Sequence, residues 1–270
     1  VNRAVSGLYP PGSTFKIVTA LEYMREHPDD YKDFHFDCNG VYHNGDYSIK
    51  CFHSEAHGSQ DFMKAFANSC NCAFASIGVD LGGASLRRTA EDLLFNKSLP
   101  LNAYRTSSFS LDKKSVTPLI MQTAIGQGNT LVSPMHMALI TCAIANDGVL
   151  MKPYLIDEVV NDSNDTVKKT EPVPYKRLMS SNEANLLGKL MKQVVDSGTA
   201  SSLSGRSYTV AGKTGSAEYN ESGASHSWFV GYSNVDNPDI VVSVIVEDGG
   251  TGSEAAVPIA ADLFDAYHFD

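Results

Sequence analysis

The sequence predicts a mixed α/β fold of the α+β kind, in which a mostly helical lobe is followed by a small antiparallel sheet. Helical hydrophobic spacing recurs up to about residue 200, whereas the runs 208–217, 227–232 and 240–247 are β-rich and separated by turn material. Short connections of this kind favour an antiparallel meander. A final helix is expected over 254–267. With 270 residues, 43% of them hydrophobic, the chain suits one large domain or two closely packed lobes. We expect a helical lobe over 28–200 and a sheet lobe over 1–27 and 201–270.

The first helix is expected to begin at a serine. Pro10-Pro11-Gly12 stops the preceding segment, and Ser13 follows as an N-cap or first-turn residue. Ile17, Leu21 and Met24 share one helical face, and Pro28 ends the helix at about residue 27. Residues 33–52 are turn-rich and predict a hairpin.

The next segments show a helix pair with a polar break between its members. Ser59 can cap a helix through Phe66, and Asn68-Ser69-Cys70-Asn71 interrupts it. The remaining predictions for this part are a helix over 72–81 that stops at Gly82-Gly83, a helix over 85–95 and a long loop over 96–116.

Three further helices carry clear start signals. Thr117-Pro118 and Ser133-Pro134 each combine an N-cap with a proline at the first helical position. Gly126-Gln127-Gly128 between them predicts a sharp turn. Ser180-x-x-Glu183 fits a capping box for a helix that ends at Gly198.

The charge and hydropathy exclude some classes of function. The chain carries 21 basic and 31 acidic residues, a net charge of −10, and it has no basic run, so nucleic acid is an unexpected partner. No apolar stretch approaches the roughly 20 residues that cross a bilayer.

The five cysteines do not form a disulfide scaffold, because their number is odd and low for the length. Cys142 is expected to be a buried core thiol. A bridge between Cys38 and Cys51 remains open at this point. Together with His53 and His57 these two cysteines invite a zinc site, but they lack the close Cys-x₂-Cys pair, so we expect no metal.

Three polar clusters could carry chemistry. Lys16 lies three residues after Ser13 on a helix, so its amine can reach the serine hydroxyl and act as a base if its pKa is lowered. Ser69 could relay a proton to a leaving amine, and Asn71 could hold a substrate amide. Lys213 stands in a glycine-flanked strand, to which an extended peptide could add as a further strand.

In this order the clusters resemble the class B, monofunctional transpeptidases among the penicillin-binding proteins, within the serine β-lactamase and D,D-peptidase superfamily. The motifs that carry the resemblance are Pro11-Gly12-Ser13-Thr14-Phe15-Lys16, Asn68-Ser69-Cys70-Asn71, Gly126-Gln127-Gly128, Gly212-Lys213-Thr214-Gly215-Ser216-Ala217 and His226-Ser227-Trp228-Phe229-Val230-Gly231-Tyr232.

The resemblance implies a β-lactamase/transpeptidase-like fold and a serine acyl-enzyme. Ser13 would attack the D-Ala-D-Ala bond of a peptidoglycan stem peptide, and a neighbouring stem amine would then accept the acyl group. Lys213, Thr214, Gly215 and Ser216 would bind the substrate carboxylate and backbone, with the oxyanion held by the backbone N–H groups of Ser13 and Ser216. β-Lactams would acylate Ser13. No cofactor is implied. The implied location is the extracytoplasmic face of the bacterial membrane, with other cell-wall synthesis proteins as partners.

The sequence also departs from that family. Cys70 replaces the Asp of the second motif, and the strands that precede the serine helix have no counterpart in the short segment before Ser13. We therefore expect an N-terminally truncated domain without a membrane anchor, whose sheet has an unpaired edge. A class D-like β-lactamase, a D,D-carboxypeptidase and a β-lactam sensor domain remain as alternatives.

Overall fold

The computed structural model describes residues 2–218 and 225–269. Its α-helices are α1 (Arg3–Ser6), α2 (Lys16–Glu26), α3 (Phe62–Ala67), α4 (Asn71–Asp92), α5 (Thr117–Ala124), α6 (Pro134–Ala145), α7 (Ser181–Ser197) and α8 (Val257–Phe269). Its strands are β1 (His35–Cys38), β2 (Val41–Asn44), β3 (Tyr47–Lys50), β4 (Gly58–Asp61), β5 (Val149–Met151), β6 (Glu158–Val160), β7 (Thr166–Lys169), β8 (Pro174–Arg177), β9 (Val210–Glu218), β10 (Ser225–Ser233) and β11 (Val241–Val246).

The predicted sheet is present, with the strand order β11-β10-β9. Both pairs are antiparallel, and Lys213 on β9 lies opposite Val230 on β10. Helices α6 and α8 pack on β10 and β11, and α7 packs against β9. These contacts confirm the α+β prediction of a helical part joined to a terminal antiparallel sheet. The turn predicted at Glu221-Ser222-Gly223 lies outside the described residues.

Helix α2 is the centre of the molecule, since every residue from Lys16 to Met24 is buried. Helices α4 and α7 pack around it. The serine segment before it is a 3₁₀ turn over Gly12–Phe15, so Ser13 lies in the turn that leads into the helix. His27 ends the helix, as the position of Pro28 predicts.

Two helix caps confirm the sequence analysis and two correct it. Ser133 caps α6 and Ser180 forms the capping box with Glu183. The cap of α3 is Asp61 and not Ser59, because β4 continues through residue 61 and delays the helix. The N-cap of α5 is Val116, so Thr117 is already helical.

The predicted break at Gly82-Gly83 is confirmed. Gly82 has φ +73° and ψ 167°, so α4 consists of two helical segments that meet at a kink, as the separate helices predicted on either side require. Glycine tolerates the positive φ because it has no Cβ. Cys142 differs from expectation, since it is partly exposed.

The remaining strands form two-stranded ribbons. β2 pairs with β3 as the predicted hairpin, but β1 pairs with β4. The ribbons β5-β8 and β6-β7 were not predicted, since their residues are mostly exposed and show no apolar alternation. Residues 96–116 contain no named helix or strand, as expected for a loop. Within the described residues no helix has the length and apolar character needed to span a membrane.

Candidate active site

The first two site residues meet at the start of α2. Lys16 Nζ lies 3.0 Å from Ser13 Oγ. The lysine is completely buried, whereas the serine is partly exposed and can be reached from the surface. The predicted contact between positions i and i+3 is therefore confirmed.

The turn between α3 and α4 supplies the other partners of the lysine. Lys16 Nζ donates to Ser69 O at 2.7 Å, and it lies 2.7 Å from Asn71 Oδ1 and 3.1 Å from Ser69 Oγ. Ser69 adopts φ +55°, a left-handed conformation that turns its carbonyl toward the amine. The Asn71 side chain is held at its other end, since Nδ2 donates to Lys50 O at 3.1 Å.

The surroundings of Lys16 favour the neutral amine. Burial lowers its pKa to about 8, against an opposing effect from the charges of Cys70, Cys51 and Cys72. A neutral amine has two N–H groups and one lone pair. Ser69 O and Asn71 Oδ1 can only accept, so they take the two N–H groups and leave the lone pair for a hydroxyl.

The third motif brings a second lysine to the hydroxyl group of Ser69. Lys213 Nζ donates to Ser69 Oγ at 2.9 Å and to Thr214 O at 3.1 Å. Lys213 is also completely buried, and burial followed by the charge of Lys16 lowers its pKa. Ser69 Oγ thus bridges the two amines, and all three motifs converge on one point.

The strand that carries Lys213 passes very close to the serine turn. A Cβ on Gly215 would lie 3.0 Å from Thr14 Cγ2, and one on Gly12 would lie 2.6 Å from Ser216 O. Ser216 is partly exposed, while the preceding residues of β9 are buried. Ser216 is therefore the point where this strand opens toward solvent near Ser13.

A scan against family models matches residues 1–265 to the penicillin binding protein transpeptidase domain. The chain belongs to this family.

Curated relatives agree with the assignment. The chain is 28% identical to peptidoglycan D,D-transpeptidase PbpA of Mycolicibacterium smegmatis, over 96% of this chain and 55% of the relative. It is 30% identical to stage V sporulation protein D of Bacillus subtilis, over 97% of this chain and 42% of the relative. The transpeptidase domain thus spans about half the length of these relatives.

Solved structures show the same β-lactamase-like fold. The D,D-transpeptidase domain of a peptidoglycan glycosyltransferase from Eggerthella lenta has a TM-score of 0.85 at 31% identity, covering 98% of this chain and 68% of that one. An imipenem acyl-enzyme complex of penicillin-binding protein A from M. tuberculosis has a TM-score of 0.86 at 25% identity, covering 99% and 62%.

Supporting contacts around Ser13 and the two lysines include some that sequence analysis missed. Gly12 N donates to Gly126 O at 3.0 Å, so the predicted turn at Gly126-Gln127-Gly128 lies next to the serine turn. Trp228 Nε1 donates to Pro10 O at 3.0 Å, and Thr199 Oγ1 hydrogen-bonds Thr214 Oγ1. No local motif marks Thr199, so its hydrogen bond to Thr214 becomes apparent only in the folded structure.

Four of the cysteines, Cys38, Cys51, Cys70 and Cys72, lie together next to the turn that carries Ser69. All five are free thiols, so the bridge between Cys38 and Cys51 is absent here. Cys70 is the N-cap of α4, where its Sγ accepts from Ala73 N at 3.4 Å. It packs against Cys51, at an Sγ–Sγ distance of 3.7 Å. The replacement of Asp by Cys therefore connects the second motif to a group of buried thiols.

Proposed function

We propose that this chain is the catalytic domain of a peptidoglycan D,D-transpeptidase that works through an acyl-enzyme on Ser13. The observation that carries the proposal is the 3.0 Å contact between Lys16 Nζ and Ser13 Oγ. Ser69 and Asn71 contact the same lysine amine, and Lys213 contacts the Ser69 hydroxyl. The similarity to the D,D-transpeptidase PbpA and to a mycobacterial penicillin-binding protein that forms an imipenem acyl-enzyme complex supports it.

In the acylation step, Ser13 Oγ attacks the carbonyl carbon of the D-Ala-D-Ala peptide bond. Its proton passes to the lone pair of neutral Lys16, and a tetrahedral oxyanion forms. The backbone N–H groups of Ser13 and Ser216 are proposed to hold that oxyanion. The close packing of Gly12 against Ser216 supports this, because it keeps the two backbone segments together.

The leaving D-Ala needs a proton as the C–N bond breaks. Ser69 Oγ is suited to deliver it, since it is within hydrogen-bond distance of both lysine amines. The proton taken by Lys16 can return through this hydroxyl to the departing nitrogen. The amine of a neighbouring stem peptide then attacks the ester, and Ser13 regains its proton.

Substrate recognition is assigned to the open end of β9. A stem peptide can add along this strand near Ser216, because β9 is the last strand of the described sheet and is exposed there. Lys213, Thr214 and Ser216 are proposed to present an amine and two hydroxyl groups to the terminal carboxylate. Asn71 retains one amide N–H beyond its bond to Lys50 O, and this group is proposed to meet a substrate amide.

A fluorescent penicillin tests the proposal directly. We expect one covalent adduct on the parent chain by intact-mass analysis and none on Ser13→Ala. Ser204→Ala, an exposed serine in another turn, is the matched control and should label like the parent. A folded parent that takes up no penicillin would overturn the assignment of Ser13.

The rate of deacylation separates the transpeptidase from its alternatives. Slow deacylation together with exchange of the terminal D-Ala of a synthetic stem peptide supports the transpeptidase. Rapid turnover of penicillin would favour a β-lactamase, and acylation without any peptide exchange would favour a sensor domain. The extracytoplasmic location, the partner proteins and the division into two lobes stay predictions.

A further inference from the structure

Four side chains that can bind a metal converge beside the turn that carries the second motif. They come from separate parts of the chain: Cys38 at the end of β1, Cys51 after β3, His57 before β4 and Cys70 at the cap of α4. Their ligand atoms all lie within 4.8 Å of one another. His53, which the sequence also suggested, is not among the grouped ligands, and Cys70 takes its place.

Three of the separations between these ligand atoms match a tetrahedral site, and all of them are within 4.8 Å. The Sγ atoms of Cys38 and Cys51 are 3.7 Å apart, as are those of Cys51 and Cys70, and Cys38 Sγ lies 3.5 Å from His57 Nδ1. Zinc bonds of about 2.3 Å to sulfur and about 2.1 Å to nitrogen place the ligands of a tetrahedron roughly 3.6 to 3.8 Å apart.

We propose that Cys38, Cys51, His57 and Cys70 form a structural Zn²⁺ site. Three thiolates and a neutral imidazole complete the four-coordinate shell that structural zinc sites use, so no position is left for a substrate. Soft thiolate and imidazole ligands in a tetrahedron favour zinc over hard cations. Binding requires the thiols to lose their protons, so metal uptake is accompanied by proton release.

The burial and contacts of the group support a metal over an ordinary thiol packing. The three cysteines are between 0% and 3% exposed. Cys51 Sγ contacts the sulfur atoms of Cys38, Cys70 and Cys72, whereas a disulfide would use only one of them.

The loop of His57 is also held from outside the group. Gln60 Nε2 donates to His57 O at 2.7 Å, and Gln60 Oε1 accepts from Asn68 Nδ2 at 2.9 Å. Gln60 therefore connects the histidine loop to the residue just before Ser69. Such outer contacts orient metal ligands and are a regular part of zinc sites.

The position of Cys70 gives the metal a consequence for the active site. Cys70 lies between Ser69 and Asn71, whose oxygen atoms are the acceptors around Lys16. A Zn–S bond to Cys70 would fix the positive φ of Ser69 and keep these acceptors in place. The inference goes beyond the proposed function, and its primary test needs no peptidase activity.

The first experiment measures metal content. The chain is purified under reducing conditions, loaded with Zn²⁺, desalted and analysed by inductively coupled plasma mass spectrometry. We expect one zinc per chain, a lower Tm after chelation and recovery of Tm when zinc is returned. Substitution with Co²⁺ should give thiolate-to-cobalt charge-transfer absorption and tetrahedral ligand-field bands.

Ligand variants identify the site. Cys70→Ser and His57→Ala should weaken zinc binding by at least about 100-fold in a chelator competition, because the loss of an outer-shell partner alone can cost that much. Cys72→Ser is the matched control, since Cys72 contacts Cys51 but also donates to Ile49 O. Cys72→Ser should retain one zinc, and so should His53→Ala.

Three results would overturn the inference. They are a reduced, folded parent that binds no zinc, a parent whose Tm and cobalt spectrum do not respond to the metals, and loss of zinc in Cys72→Ser with retention in His57→Ala. The first two use the unsubstituted chain, so a variant that fails to fold does not affect them. Penicillin labelling is measured separately, so failure of the proposed function is distinguishable from failure of the zinc site.

Discussion

Lowering the pH from 9 to 6 is expected to slow the acylation of Ser13 by about 100-fold, because only the neutral amine of Lys16 can take the serine proton. Burial lowers the pKa of this amine to about 8. About 90% of the chains then carry neutral Lys16 at pH 9, and about 1% do so at pH 6. The rate constant for acylation should follow this fraction.

The assay is stopped-flow labelling with a fluorescent penicillin across this pH range, with circular dichroism to show that the fold is retained. Asn71→Asp provides a second test, which asks whether Lys16 sets the midpoint of the pH profile. Asn71 Oδ1 lies 2.7 Å from Lys16 Nζ, so a carboxylate there would stabilise the ammonium and raise the midpoint by about 1 to 3 pH units.

Asn68→Asp is the control, because the Asn68 side chain hydrogen-bonds Gln60 and neither Lys16 nor Lys213, and its midpoint should stay near that of the parent. A rate that is constant from pH 6 to 9 would refute the role of Lys16 as base. An unchanged midpoint in Asn71→Asp would show that another group controls the profile.

Two predictions concern stability, measured as the free energy of unfolding in urea. Gly126→Ala should cost more than about 2 kcal/mol, because Gly126 has φ +81° and an added Cβ would lie 1.8 Å from Gly12 O. Gly45→Ala, at φ +58° with no heavy atom within 4 Å, should cost only about 1 kcal/mol, and equal losses would contradict the steric argument. Thr89→Val should cost about 1 to 3 kcal/mol, since the Thr89 hydroxyl donates to the fully buried carboxylate of Glu22. Thr89→Ser keeps the hydroxyl and should be close to the parent, and a matching loss would remove the hydrogen bond as the cause.

The parts of the site that are local in sequence could be predicted from the sequence. Ser13 and Lys16 are three residues apart across the 3₁₀ turn that leads into α2, so their contact follows from helical spacing. The β-rich run around Lys213 predicted its strand, and the glycines in that run predicted that another segment approaches it closely. That segment is the serine turn.

The parts that depend on tertiary contacts were not visible. The best hydrogen bonds of Lys16 go to Ser69 O and to an amide held by Lys50 O, and a backbone carbonyl leaves no trace in residue identities. The composition of the cysteine and histidine group also depends on tertiary contacts. The sequence groups Cys38 and Cys51 with His53 and His57, whereas the fold pairs Cys38 with Gly58, next to His57, and adds Cys70 in place of His53.

The uncharged amide of Asn71 beside Lys16 affects both the acylation of Ser13 and the free energy of unfolding. A buried lysine with a pKa of about 8 instead of 10.5 binds fewer protons than it does in the unfolded chain. The unfolded state is therefore favoured increasingly as the pH falls from 10.5 to about 8, at a total cost of about 3 kcal/mol that persists at lower pH. An Asp at position 71 would recover part of this energy by pairing with the ammonium, and it would remove the base that Ser13 needs. The amide of Asn71 positions the Lys16 amine without stabilising its ammonium form, so the lysine stays available as a base. The unfavourable free energy of burying Lys16 is offset by the rest of the core.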